Sequence, residues 1–360
     1  MREKLIERNR AAMRRFETGI NPELLLLRRR GQDRKRRRGG RHRRNSAGHR
    51  GDGRQVIVME KNSESDRFLA SIPPGRQAEQ ARAVREAIRG NSAELEAIRR
   101  SRDIEKPLIA GVTCRMVRED LCLYLPDSGV ACETLVYLHG GCWTFGSINS
   151  CSEFCMAVAR EGVAVLAYAY PLAPENDAQT IVARTGEAVS WTMDHASEWG
   201  GSPDAVAIGG DSAGGNLALA VALSAPPVRR PYALLLYYPV VHAWADEGGS
   251  WARYGKGFGL DAELMDAGNE AYSRGDARNP LISPDCASDA VLKDLPPCRF
   301  LAAERDILLD QGLAFHRRLL ALDVPTTHET VPGATHLFVT VPGQPTAFAK
   351  AVRFAVEGVK

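Results

Sequence analysis

An α/β fold with a mostly parallel, eight-stranded sheet flanked by helices follows from three observations on this 360-residue chain. Short apolar runs alternate with helix-compatible stretches from residue 134 to the C-terminus, the pattern of parallel strands joined by helical crossovers. One run, residues 205–209, breaks into Gly210-Asp211-Ser212-Ala213-Gly214 and resumes as the helix-compatible Asn216-Leu217-Ala218-Leu219-Ala220, so a strand turns sharply into a helix with a serine at the corner. A hydrophobic content of 44% can fill a substantial core, and the length fits one large domain better than two independent ones.

The elements follow in order. Residues 1–58 hold 19 Lys and Arg against 6 Asp and Glu, a balance of +13, so the whole-chain +3 leaves −10 for residues 59–360. The head carries Arg34-Lys35-Arg36-Arg37-Arg38 and little apolar material, and is expected to be a disordered extension preceding a folded domain over 59–360. Residues 77–100 are rich in helix formers with spaced apolar positions, interrupted at Gly90-Asn91, and predict a helical pair. Residues 112–125 alternate as two antiparallel edge strands. Strands are then expected at 134–139, 163–169, 205–209, 232–238, 298–303 and 326–331, with helices near 150–161, 177–197, 213–223, 308–322 and 345–357. Residues 241–297 interrupt this rhythm with Trp244, Trp251, Tyr254, Phe258 and Tyr272 among Gly, Asp and Pro.

Chemistry concentrates where strands end. The corner at Ser212 lifts a hydroxyl onto a strained turn with a helix N-terminus behind it. The run Leu135-Val136-Tyr137-Leu138 ends in His139-Gly140-Gly141-Cys142-Trp143, a glycine-rich turn whose backbone N–H groups can face a developing negative charge. Residues 298–304 end at Asp306, and 326–331 run into Pro332-Gly333-Ala334-Thr335-His336. A carboxylate and an imidazole thereby reach the same edge of a parallel sheet, in the chain order Ser, Asp, His. Asp310 competes for the acid role, but its position fits the start of the following helix better.

Taken together, His139-Gly-Gly-Cys-Trp143, Tyr170-Pro-Leu-Ala-Pro-Glu175, Gly210-Asp-Ser-Ala-Gly-Gly-Asn216, Asp306-Ile-Leu-Leu-Asp310 and Gly333-Ala-Thr-His336 resemble the α/β-hydrolases related to hormone-sensitive lipase, which include many bacterial carboxylesterases and acetyl esterases. The resemblance runs from about residue 65 to the C-terminus and implies a serine carboxylesterase, and the side chains of Cys142 and Trp143 in the oxyanion loop lead us to expect a small acyl pocket and short-chain esters. Ser212, Asp306 and His336 would form its triad, with oxyanion donors at Gly140, Gly141 and Ala213. It also implies a helical cap over the serine, built from about 66–105 and 241–297, with Cys142, Trp143, Trp251 and Phe258 against the substrate. Tyr170-Pro-Leu-Ala-Pro174 reads as a rigid turn supporting the oxyanion loop. Two positions depart from the pattern: Cys142 stands where a third glycine is usual, and Ile307 where a proline often follows the aspartate. An arylformamidase-type amidase on the same fold is the alternative enzyme, and a non-catalytic ligand-binding protein the alternative outside enzymes.

The eight cysteines are scattered, and Cys151-x-x-x-Cys155 lacks the second ligand pair of a zinc site, so a reduced, cytoplasmic chain with no metal and no cofactor is expected. Leu24-Leu25-Leu26-Leu27 is too short for an export signal or a membrane span. The expected partner is a small-molecule ester. Nucleic acid is not expected as a partner, the only route to it being phosphate contacts of the basic 1–58 extension, and a homodimer is compatible with the sequence. His195, His242, His316 and His328 lack triad spacing and read as surface or core residues.

Overall fold

A strand that is apolar on both faces is stable only inside a sheet covered on both sides. The runs at 134–138, 163–168, 206–210 and 234–237 meet that condition, and all of their residues are buried. The computed structural model describes residues 63–360, which fall within one compact unit; the basic extension lies outside the described residues.

Three helices, α1 (Glu64–Ser71), α2 (Arg76–Ile88) and α3 (Ala93–Arg102), precede the sheet. Then come β1 (Val112–Arg118), β2 (Leu121–Pro126), β3 (Glu133–Leu138), α4 (Ile148–Arg160), β4 (Val163–Tyr168), α5 (Ala178–His195), β5 (Val206–Asp211), α6 (Ala213–Ser224) and β6 (Leu234–Tyr237). The remainder is α7 (Gly249–Tyr254), α8 (Ala262–Ser273), α9 (Asp289–Leu292), β7 (Cys298–Arg305), α10 (Leu309–Ala321), β8 (Thr326–Thr335) and α11 (Pro345–Val359).

The eight strands lie in the order β1-β2-β4-β3-β5-β6-β7-β8, parallel from β4 to β8. β1 is an edge strand as expected. β2 is not: it pairs antiparallel with β1 on one side and with β4 on the other. β8 runs to Thr335, past the expected end at 331, because an edge strand can carry Pro332 without losing a ladder hydrogen bond, and the pairing with β7 shifts register beside it. Alternate residues feed two apolar layers, Val136 and Leu138 on one face of the sheet, Leu135 and Tyr137 on the other.

Helices α2 and α8 pack together outside the sheet. Gln77 donates to the Gly259 carbonyl at 3.2 Å and accepts the Asp261 N–H at 2.7 Å, while Arg85 faces Glu263 and Glu270 at 3.7 Å each. The excursion at 241–297 is therefore joined to the N-terminal helices rather than folded on itself.

Candidate active site

β5 ends at Asp211 and α6 begins at Ala213, so Ser212 alone makes the turn, with φ 54° and ψ −116°. Left-handed backbone in a non-glycine residue costs about 1–2 kcal/mol and persists only where its surroundings hold it. Here the Ser212 N–H donates to the Tyr237 carbonyl at 2.9 Å, and the Ser212 carbonyl accepts the Val240 and Asn216 N–H groups at 3.2 and 3.1 Å. Gly210 is required as well, since a Cβ there would lie 2.5 Å from the Leu138 carbonyl oxygen.

Strand register brings the other candidates to the same edge: Leu138 pairs with Gly210, Asp211 with Tyr237, Tyr237 with Leu301 and Arg305 with Thr335. The residues that follow β3, β5, β7 and β8 thus converge. His336 Nδ1 faces Asp306 Oδ2 at 2.7 Å, and both residues are buried. Asp306 Oδ1 also accepts the Leu308 N–H at 2.9 Å, which fixes the carboxylate plane. With the proton on Nδ1, Nε2 is the free base position. The Tyr238 ring lies 4.4 Å from the imidazole, tilted by 52°.

The turn that follows β3, residues 139–143, is built from both sides. Tyr170 stacks on His139 with centroids 4.2 Å apart, and its hydroxyl donates to the His139 carbonyl at 2.7 Å. Ala173 N–H donates to the Trp143 carbonyl at 3.0 Å, so residues 170–174 do support this turn. Burial lowers the His139 pKa to about 4, which keeps its ring neutral as a packing group. Beneath the turn, Asp211 Oδ1 accepts the Gly140 N–H and the Tyr137 hydroxyl, each at 2.9 Å. That bond corrects one expectation: the Gly140 N–H is committed to Asp211 and is not available to an oxyanion. Among the described residues, the N–H groups of Gly141, Cys142 and Ala213 have no protein acceptor.

The remaining expected residues divide. Cys142 is buried and its thiol pKa is pushed up to about 12 by burial, so it is a packed side chain rather than a thiolate. Trp143 is fully buried, with its ring on Tyr272. Phe258 precedes Gly259, where a Cβ would approach the His336 carbonyl oxygen to 3.0 Å, which sets Phe258 next to the histidine loop. Trp251 lies in α7, half-buried against the core. Asp310 makes no bond to His336; its Oδ2 accepts the Ser250 N–H at 2.7 Å and it occupies the first turn of α10. His242 bridges Asp285 and Asp246 at 2.8 and 2.9 Å and bonds neither Ser212 nor Asp306.

Three supporting residues escaped the sequence reading. Gln344 donates to the Thr335 and His336 carbonyls at 3.3 and 3.4 Å and accepts the Thr335 N–H and the Ser65 hydroxyl, each at 2.9 Å. Arg305 ties Gly333 to Asp66 at 3.0 and 2.8 Å. No local pattern marks either residue. Asp211 could have been noticed as a carboxylate ending an otherwise apolar strand.

Among the described residues no cluster of His, Cys, Asp or Glu is arranged to hold a metal ion, and no helix is long and apolar enough to cross a membrane.

Comparison with known proteins gives the same frame. The chain is 34% identical to an ethyl acetate hydrolase of Pseudomonas putida over 226 residues, 60% of this chain and 70% of that protein. It is 36% identical to an arylesterase of Saccharolobus solfataricus, over 61% of this chain and 72% of the relative. Among solved structures it resembles the ester-hydrolase EH1AB1 from the Lake Arreo metagenome, with a TM-score of 0.67 and 26% identity over 82% of this chain and 97% of the other. Residues 135–340, which hold Ser212, Asp306, His336 and the oxyanion turn, match the model of the alpha/beta hydrolase fold, and the chain belongs to that family.

Proposed function

We propose that this chain is a serine carboxylesterase acting on short-chain acyl esters through an acyl-enzyme. The observation that carries the reading is the buried Asp306–His336 pair, 2.7 Å apart, on the same sheet edge as a serine held at φ 54°. In the proposed sequence His336 Nε2 takes the proton of Ser212 Oγ as the hydroxyl attacks the ester carbonyl, and Asp306 stabilises the resulting imidazolium. The carbonyl oxygen gains the negative charge and is received by the free N–H groups of Gly141, Cys142 and Ala213. The tetrahedral intermediate collapses, the alcohol leaves with the proton from His336, and water repeats the cycle on the acyl-enzyme.

The relatives support an ester as substrate: one is an ethyl acetate hydrolase, another an arylesterase. A cap formed by α1–α3 and 241–297 is part of the proposal, supported by the Gln77 and Arg85 contacts that bind the two segments together. A small acyl pocket is part of the proposal, on the ground that Cys142 carries a side chain where the related family usually has glycine. All eight cysteines are unpaired thiols, which supports work in a reducing compartment, the cytoplasm.

The test is a series of p-nitrophenyl esters from acetyl to decanoyl beside a formyl anilide, with a fluorophosphonate probe of Ser212. Ester turnover blocked by the probe is expected. Faster turnover of the anilide would favour the amidase, and labelling without turnover of any ester would overturn the assignment.

A further inference from the structure

Two consecutive residues of the oxyanion turn, Cys142 and Trp143, hold left-handed backbone, at φ 51° and 59°. L side chains resist that region, so something must hold the turn in it. The turn's own hydrogen bonds act at its ends: Thr144 and Phe145 N–H groups donate to the Gly141 carbonyl, and Ala173 N–H to that of Trp143. The middle of the turn rests on α8. A Cβ built on Gly268 would lie 2.6 Å from the Cys142 Cβ and 3.0 Å from its carbonyl oxygen, so the helix backbone itself forms the seat for this residue. One helical turn later, Tyr272 lies flat on Trp143, with ring centroids 4.3 Å apart and planes within 4°. Both rings are buried, and positions 268 and 272 share one face of the helix.

We propose that α8 is the template of the oxyanion turn, Gly268 seating Cys142 and Tyr272 clamping Trp143, so that both are positioning residues for the hydrolysis proposed above. The side chain present at 142 is matched by the side chain missing at 268. Neither residue touches the reacting atoms; they act through the direction of the Cys142 and Gly141 N–H groups. Movement of α8 and the quality of the oxyanion site are then one variable, and a substrate that shifts this helix alters turnover rather than binding.

The proposal rests on the esterase reading, and a cycle of variants separates the two. Gly268→Ala, Cys142→Gly, the double variant and Tyr272→Leu are compared with wild type for kcat and KM on p-nitrophenyl butyrate and for melting temperature. Alanine inside a helix ordinarily stabilises it relative to glycine. At 268 the opposite is expected: a lower Tm, a kcat reduced about 10- to 100-fold, as for a displaced oxyanion donor, and a KM within about threefold. Adding Cys142→Gly removes the nearest obstacle and should restore Tm and at least tenfold of the lost kcat. Tyr272→Leu adds no bulk and should lower kcat with KM held, which keeps the test open if Gly268→Ala does not fold. A Gly268→Ala protein with raised Tm and kcat within threefold of wild type, a double variant no better than Gly268→Ala, or an unchanged Tyr272→Leu would overturn the template. If wild type turns over no ester the esterase reading fails, while the signs of the Tm changes still decide whether α8 seats the turn.

Discussion

Replacing Asp211 by Asn should stabilise this protein at neutral pH, although it removes a carboxylate with three hydrogen-bond partners. Asp211 has no exposed surface, and burial raises its pKa from 3.8 to about 6 against the opposing pull of the Tyr137 hydroxyl, the nearby His336 and the Gly140 N–H. A carboxyl whose folded pKa lies above its unfolded one opposes folding when ionised. The penalty is absent below about pH 4, grows between about 4 and 6, and is complete above 6. A rise of that size corresponds to about 3 kcal/mol. An asparagine oxygen can still accept from Gly140 and Tyr137, and its amide nitrogen would face Thr340, whose hydroxyl now donates to Oδ2 at 3.4 Å. Asp211→Asn is therefore expected to exceed wild type by up to about 3 kcal/mol at pH 8, with the difference vanishing near pH 4. Urea unfolding followed by circular dichroism at pH 4, 6 and 8 measures it, and kcat at pH 8 should stay within about tenfold because the turn keeps its anchor. A variant less stable than wild type at pH 8, or a difference that does not change with pH, would refute the argument.

Three further outcomes are expected. Ser212→Ala and His336→Ala should each lower ester turnover by roughly four to six orders of magnitude, and Asp306→Asn somewhat less, since the three act as a unit; Asp310→Asn should be mild, and a collapse of turnover there with a healthy Asp306→Asn would reassign the acid. Deleting residues 1–58 should leave melting temperature and turnover nearly unchanged, whereas deletion through residue 72 removes Ser65 and Asp66 from Gln344 and Arg305 and should lower both; equal behaviour of the two truncations would contradict the role given to α1. Catalytic efficiency should fall from butyryl to palmitoyl p-nitrophenyl ester, without activation by emulsified triglyceride, and a preference for palmitoyl would replace the small acyl pocket by a lipase site.

Much of this architecture was legible because its signals are local. The strands β3 to β7 are apolar runs bounded by turns, and α4, α5, α6, α10 and α11 begin and end within about two residues of expectation because periodicity and glycine mark them, whereas α7, α8 and α9 had no expected bounds. The Ser212 corner, Asp306 and His336 each sit beside a motif that states its own geometry. What could not be read depends on chain segments far apart in sequence. β2 was expected at an edge because it neighbours β1, yet its second partner is β4, and strand order is not written in adjacency. Gly140 was expected to face substrate, and its N–H instead finds a carboxylate 71 residues away. Gly268 carries no signal of its own, and its meaning depends wholly on which residue of the oxyanion turn faces it.

The hydrogen bond between Ser65 and Gln344 spans 279 residues, and it has a consequence for the time course of synthesis. At about 5–20 residues per second, a ribosome needs roughly 14–60 s between exposing one partner and completing the other. For that interval α1 has no histidine loop to hold, and the loop, once made, still waits for α11 to leave the tunnel. Gln344, the residue that caps α11, supplies the bond the His336 carbonyl waits for. A chain that stops short of Gln344 carries the Ser212 corner and the 139–143 turn without the bonds that hold the loop of His336.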